Sequence, residues 1–252
     1  MSERDDLRRL GRELRMTLGL SEVSGSDLLA GYGPLTDEIV FGRLWARPGL
    51  CLEDRMLATL TALTSSQRLP QLKTYVGSAL HIGLDARLIR EVMLHAAMYS
   101  GLPTAENSLA VVAEVFDTLE LTIPDGPAPE EPDLAELSAL GRETMADLHD
   151  ERSDAGYASP DSAAAELYTV AITHLYGDVW NRPHITRRQR MICSVAAFTA
   201  TRMETQQRKF FRSALNVGLT PGEVLEVIMQ TGPYSGFPPA LNALTIAETV
   251  LP

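Results

Sequence analysis

Cysteine is nearly missing from this 252-residue sequence: only Cys51 and Cys193 occur, far apart, with no CxxC and no Cys/His cluster near either. That excludes a structural zinc, an iron–sulfur cluster and a dithiol redox centre built on the usual spacings. A disulfide between them would be out of place in a reducing compartment. Basic residues are scarce as well. Lysine and arginine total 22 against 33 acidic residues, a net charge of −11 that repels a phosphate backbone, so no nucleic acid partner is expected. No apolar run approaches the roughly 18–20 residues that cross a bilayer, and the start MSERDDLRRLGRELR is too charged for a signal peptide's apolar region. No membrane association is expected, and the location expected is cytoplasmic. Sustained period-2 alternation between hairpin turns is lacking too, which argues against a sheet.

What the sequence does contain is a copy of itself. FGRLWARPGLCLEDRMLATLTALT from Phe41 aligns without a gap on YGDVWNRPHITRRQRMICSVAAFT from Tyr176, at a constant offset of 135. The offset pairs Trp45 with Trp180, Pro48 with Pro183 and Arg55 with Arg190. It carries on through Ser78-Ala79-Leu80 and Ser213-Ala214-Leu215, Glu91-Val92 and Glu226-Val227, and Tyr99-Ser100-Gly101 and Tyr234-Ser235-Gly236. Upstream, Leu10-Gly11-Arg12-Glu13 recurs as Leu140-Gly141-Arg142-Glu143 at an offset of 130, so the loop between the two blocks differs in length. Self-similarity on this scale marks tandem structural units. Between them ELTIPDGPAPEEPDLAE is dense in proline and acids and reads as an extended connector. The expected organisation is a first repeat over 1–119, a linker over 120–133 and a second repeat over 134–252.

Each repeat reads as helices. Met56, Leu57, Leu60 and Leu63 follow the spacing of one helical face across 53–64, and 71–82, 86–99 and 104–116 behave alike. Gly83 suits a left-handed cap, Asp85 a helix start and Pro103 a first turn; Gly218, Thr220 and Pro238 repeat the pattern.

These strings, with SALHIGL, IREVMLHAAMYSGLPTAENSL, SALNVGLTPGEVLEVIMQ and GPYSGFPPALNAL, resemble the carboxymuconolactone decarboxylase family, which includes the alkyl hydroperoxidase D proteins. The resemblance implies an all-α fold of two tandem helical repeats of the alkyl hydroperoxidase D-like type, forming a pseudo-dimer. It also implies self-association of three chains into a homotrimer that is a pseudo-hexamer. The family's peroxidase residues do not carry over. The glutamate falls at Met56 and Met191, the two cysteines at Arg68 and Gln71 and at Met203 and Gln206, and the histidine at Tyr75 and Phe210. The lactone decarboxylases' glutamate–histidine pair likewise becomes Gln71 with Tyr75 and Gln206 with Phe210. Without a thiolate, peroxidase chemistry by the family route is excluded.

The remaining candidates follow from residue chemistry. Tyr75 is the ionisable group left at the position that the resemblance assigns to the family's proton relay, and His95 and Tyr99, four apart, share a helix face. Tyr75, His95 and Tyr99 are therefore the candidate catalytic set, confined to the first repeat because Phe210, Gln230 and Tyr234 stand in the second. Arg55 and Arg190 read either as clamps for a substrate carboxylate or enolate or as ion pairs joining the repeats. Gln71, Gln206, Phe210 and Tyr234 complete the candidate substrate-binding residues, and Met56, Met191 and Phe211 are expected to line an apolar pocket. Trp45 and Trp180 read as packing residues, and His81, His149, His174 and His184 as surface or packing residues. No metal ligand cluster or nucleotide loop is present, so no cofactor is expected. Two functions fit. One is a cofactor-free enzyme that cyclises, isomerises or decarboxylates a small apolar or aromatic, polyketide-like substrate; the other is a non-catalytic protein that binds a small molecule or a partner through the same pocket.

Overall fold

The computed structural model describes residues 2–21, 23, 27–122, 132–150 and 162–252, and among them there are helices and no strand. The connector 123–131 lies outside the described residues. In the first repeat α1 (Glu3–Thr17) and α2 (Tyr32–Thr36) lead into a π-helix, π1 (Asp37–Trp45). Then come α3 (Leu52–Ser65), α4 (Leu69–His81), α5 (Ala86–Ser100) and α6 (Leu102–Thr118). The second repeat matches it with α7 (Leu134–His149), α8 (Ala165–Val170), the π-helix π2 (Ala171–Asp178), α9 (Arg187–Thr201), α10 (Glu204–Ser213), α11 (Pro221–Ser235) and α12 (Phe237–Val250).

The expected punctuation is in place. Asp85 accepts the backbone N–H of Arg87 at 2.6 Å, Thr220 and Glu223 form a reciprocal capping box, and Pro103 and Pro238 sit in the first turns of α6 and α12. Gly83 and Gly218 end their helices at φ +91° and +88°, a backbone conformation that residues with a side chain adopt only under strain.

The Leu-Gly-Arg-Glu copies have a steric cause. α1 packs on π1 and α7 on π2, and the glycines let the backbones touch. A Cβ on Gly11 would lie 1.9 Å from the Asp37 carbonyl oxygen, and one on Gly141 2.0 Å from that of Ile172. From the other side, Gly42 and Gly177 meet the carbonyls of Leu7 and Leu137.

At the centre α3 packs against α9, α3 reaches α11, and α9 reaches α5. The contacts are thus reciprocal between repeats. This corrects the one-faced reading of 53–64, because every residue from Asp54 to Thr64 is buried, as is every residue from Arg190 to Thr199. The face that looks polar in sequence is covered by the other repeat. Its hydroxyls are partly satisfied within the helix, Ser194 donating to the Arg190 carbonyl at 3.0 Å and Thr199 to that of Val195 at 2.8 Å. Met56, Met191 and Phe211, expected to line a pocket, are fully buried core residues instead. Cys51 and Cys193 are both free thiols, one exposed and one buried.

Substituting Gly141 with alanine should cost about 3 kcal/mol, the upper range for overpacking against an unyielding backbone. The same change at Gly77, where an added Cβ meets nothing within 4 Å, should be neutral or stabilise by about 0.5–1 kcal/mol. Thermal melts of the two variants check the contrast.

Candidate active site

Helical spacing puts Glu91, His95 and Tyr99 on one face of α5, and Glu226, Gln230 and Tyr234 on the matching face of α11. Each face points into the other repeat. Two polar clusters result, and each is built from both halves of the chain.

In the first cluster Arg55, fully buried, donates from Nη2 to Glu226 at 2.8 Å and from Nη1 to the Gln230 side-chain oxygen at 3.2 Å. Arg47 donates to the same carboxylate at 2.8 and 3.0 Å. Burial pushes the Glu226 carboxyl up, but the bonds from Arg47 and Arg55 outweigh it and hold the group below the usual value. Gln230 passes the chain on, its amide donating to the Thr59 hydroxyl at 3.0 Å. One turn further, the Trp45 indole N–H donates to the Tyr234 hydroxyl at 2.7 Å, and the Tyr75 and Tyr234 oxygens lie 2.8 Å apart.

The second cluster mirrors it. Arg190 donates to Glu91 at 3.3 Å, Arg182 to Glu91 at 2.9 Å, and the Trp180 indole N–H to the Tyr99 hydroxyl at 3.1 Å. His95 occupies the place of Gln230. Its Nδ1 faces Arg190 Nη1 at 3.5 Å and its Nε2 lies 2.9 Å from the Ser194 hydroxyl, which is 3.3 Å from the Tyr99 oxygen. An arginine can only donate, so Nδ1 must accept and Nε2 carries the proton. That polarity, acceptor towards arginine and donor towards a hydroxyl, is the one the Gln230 amide supplies in the first cluster. His95 bridges Arg190 and the Ser194 hydroxyl as a neutral ring. Burial, then the Arg190 charge, holds its ionisation well below the ordinary value.

The candidate catalytic set is therefore divided. Tyr75 belongs with Tyr234 and Trp45, whereas His95 and Tyr99 belong with Trp180, Ser194 and Arg190. Arg55 and Arg190 each pair with a glutamate across the repeat boundary, as the ion-pair reading of these two residues expects. Gln71 is exposed and Gln206 half-buried. Phe210 is buried and packs edge-on to Tyr99, with centroids 6.0 Å apart, and on Phe198 at 4.7 Å. Burial pushes the phenols of Tyr99 and Tyr234 up to about 12, against the opposing pull of their hydrogen-bond donors. Tyr75 is raised well above the usual value by burial and by Tyr234.

Sequence reasoning missed several participants. Glu91 and Glu226, and Arg47 and Arg182, were visible as pairs at the 135 offset, and a search for opposite charges kept in both copies would have found them. The tryptophans do more than pack. His149 is the last residue of α7 and fully buried, with Nδ1 2.8 Å from the Ser213 hydroxyl and Nε2 3.2 Å from the Tyr176 hydroxyl. No repeated spacing marks it. His81, His174 and His184 are exposed, as expected. Among the described residues, no group of His, Cys, Asp and Glu could hold a metal ion, and no helix is long and apolar enough to cross a membrane.

An imidazole that stays neutral in the fold but ionises when unfolded binds more protons in the unfolded state. Stability should therefore fall with pH below the unfolded value of about 6.5, at up to about 1.4 kcal/mol per pH unit for this one group. His95→Gln should keep stability at pH 7 within about 1 kcal/mol and flatten that acid slope, which denaturant melts at pH 7.5, 6 and 5 would read.

The sequence profile of the carboxymuconolactone decarboxylase family matches residues 32–114 and 165–249. The 4-carboxymuconolactone decarboxylase of Acinetobacter baylyi is 31% identical over 94 residues, 37% of this chain and 70% of its own length. The nitrosuccinic acid decarboxylase of Metarhizium robertsii is 31% identical over 85 residues, 34% of this chain and 59% of its own length. A Burkholderia xenovorans chain assigned as a gamma-carboxymuconolactone decarboxylase subunit, known from a crystal structure, has the same fold. It is 17% identical with a TM-score of 0.55, and the superposition covers 98% of this chain and 97% of that one. With its family profile matched once in each repeat and its helices in the same arrangement, this chain belongs to the carboxymuconolactone decarboxylase family.

Proposed function

We propose that the chain is a cofactor-independent enzyme that forms and stabilises an enolate on a small apolar or aromatic acid, by decarboxylation, isomerisation or cyclisation. The observation that carries this reading is the pair Tyr99 and Tyr234. Each phenol oxygen receives an indole N–H from the other repeat. Each phenol also stays protonated up to about 12. A neutral phenol whose oxygen already accepts a hydrogen bond is a stronger donor, suited to an oxygen on which negative charge develops. Phe198 and Phe210 beside Tyr99 favour a flat apolar substrate. Decarboxylation gains weight from the two relatives named for it. A second reading, a non-catalytic binding protein, is favoured by Gln206 and Phe210 at the positions of the family's acid–base pair.

Self-association into a homotrimer accompanies this proposal, with the cytoplasm as its location. Its support is a set of exposed apolar residues repeated at the 135 offset: Tyr32 and Leu167, Leu35 and Val170, Leu102 and Phe237. Such patches on a soluble chain mark contact surfaces.

Incubation with 4-carboxymuconolactone, nitrosuccinate and aryl β-keto acids, followed by NMR, should show turnover of at least one. Tyr99→Phe should then lower kcat by about 10²-fold with a smaller change in KM. Binding without conversion across the panel would establish the non-catalytic reading. Light scattering should give three times the chain mass of 27.5 kDa, and a stable monomer would overturn the assembly.

A further inference from the structure

Four of the ion pairs that join the repeats are made by residues that both repeats hold. Arg47, Arg55 and Glu91 correspond to Arg182, Arg190 and Glu226 at the 135 offset. The four pairs they make would therefore form just as well between two copies of either repeat. The same holds for the indole-to-phenol bonds, since Trp45 and Tyr99 correspond to Trp180 and Tyr234. These contacts fix how a repeat sits on its neighbour, but not which repeat that neighbour is.

A fifth pair breaks the symmetry. In the first turn of α9, Arg188 donates from Nη1 across the boundary to Asp54 at 2.6 Å, and from Nη2 to Glu223 of its own repeat. Asp54 is buried in the first turn of α3, whereas the Arg188 side chain is 32% exposed. At the offset Arg188 corresponds to Glu53, Asp54 to Gln189 and Glu223 to Leu88, so no member of this trio has a like counterpart. If a first repeat met a copy of itself, Glu53 would fill the place of Arg188. Each buried Asp54 would lose its cation and face an anion, twice over by symmetry, and a buried charge without its partner is costly. If a second repeat met a copy of itself, Arg188 would face Gln189 while keeping Glu223 and its access to water, and little would be lost. The refusal is one-sided and lies in the first repeat.

We propose that the α3 face of the first repeat is an interaction surface selective for the α9 face of a second repeat, and that the Arg188–Asp54 bridge is what rejects another copy of the first repeat. A repulsive element of this kind is how an interface discriminates between partners whose attractive contacts are alike. The choice of neighbour sets the composition of both polar clusters. In the observed pairing Tyr75 meets Tyr234, Gln230 meets Thr59, and His95 meets Ser194. Two first repeats would instead set Tyr75 and Thr59 against Tyr99 and His95, and two second repeats would set Phe210 and Ser194 against Tyr234 and Gln230. Arg188 belongs to neither cluster and acts on them through pairing alone. The proposal does not rest on the enolate reading above.

Substitutions in the full-length chain reproduce each like-with-like contact at this place. Arg188→Glu installs the residue that a first repeat holds there, and Asp54→Gln the residue that a second repeat holds. Denaturant melts at one protein concentration read the unfolding equilibrium. Arg188→Glu should shift it towards the unfolded chain by about 10²-fold or more, and Asp54→Gln by less than about tenfold. The double variant closes the cycle. Against Asp54→Gln, Arg188→Glu should shift the equilibrium at least about tenfold less than in the unaltered chain, because the facing carboxylate is gone while Glu223 is still present. If Arg188→Glu alone does not fold, the double variant should. An equal shift in both backgrounds would mean that Arg188 serves Glu223 alone, and it overturns the proposal. So does a shift for Asp54→Gln as large as that for Arg188→Glu, a shift below tenfold for Arg188→Glu, or a double variant that fails to fold.

Discussion

Arg55 and Arg190 sit fully buried on the two central helices, and neither can shed its charge, since an arginine does not deprotonate in a protein. Each must therefore meet an anion, and the anion comes from the opposite repeat, Glu226 for Arg55 and Glu91 for Arg190. A second arginine, Arg47 or Arg182, closes each carboxylate from the solvent side. Buried pairs of this kind add little net stability over apolar packing, yet separating them leaves an uncompensated charge at a cost of about 3–5 kcal/mol. The repeats are thus bound to one orientation. Everything functional hangs on it: Tyr99 and Tyr234 lie two turns along from the glutamates, and their Trp180 and Trp45 donors lie a few residues before the arginines.

Within that shared frame the two sites have diverged by exchanging single residues at matched backbone positions. His95 and Gln230 differ in chemistry but make the same bonds in the same directions, so this difference, the most conspicuous in sequence, changes the cluster least. The exchange of Phe41 for Tyr176 and of Tyr75 for Phe210 matters more. In the first cluster the polar group is a phenol facing another phenol; in the second a phenol faces an imidazole.

The π-helices fit the same logic. π1 and π2 end at or just before Trp45 and Trp180, and their glycines allow the carbonyls of α1 and α7 to approach within contact distance. Trp45 is the last residue of π1, whereas Trp180 sits in a short 3-10 turn, Val179–Asn181, that follows π2, and such local departures from α geometry often occur at functional sites.

The helices, their caps and the duplication were legible in the sequence because they depend on local spacing: Asp85, Thr220, Gly83 and Pro103 act within a few residues of themselves. The offset of 135 likewise revealed which residues are equivalent. It could not reveal which residues meet. Tyr75 and Tyr234 are 159 positions apart, and His95 and Ser194 are 99 apart, so grouping Tyr75, His95 and Tyr99 by repeat was a natural reading that the crossed packing of α3 on α11 and of α9 on α5 undoes. His149 shows the same limit, since its bonds to Tyr176 and Ser213 link three separate helices with no fixed spacing. Sequence determined the elements and the family, because both follow from patterns along one chain. Tertiary structure decided the sites, because each is closed by hydrogen bonds whose donors and acceptors come from different repeats or from distant helices.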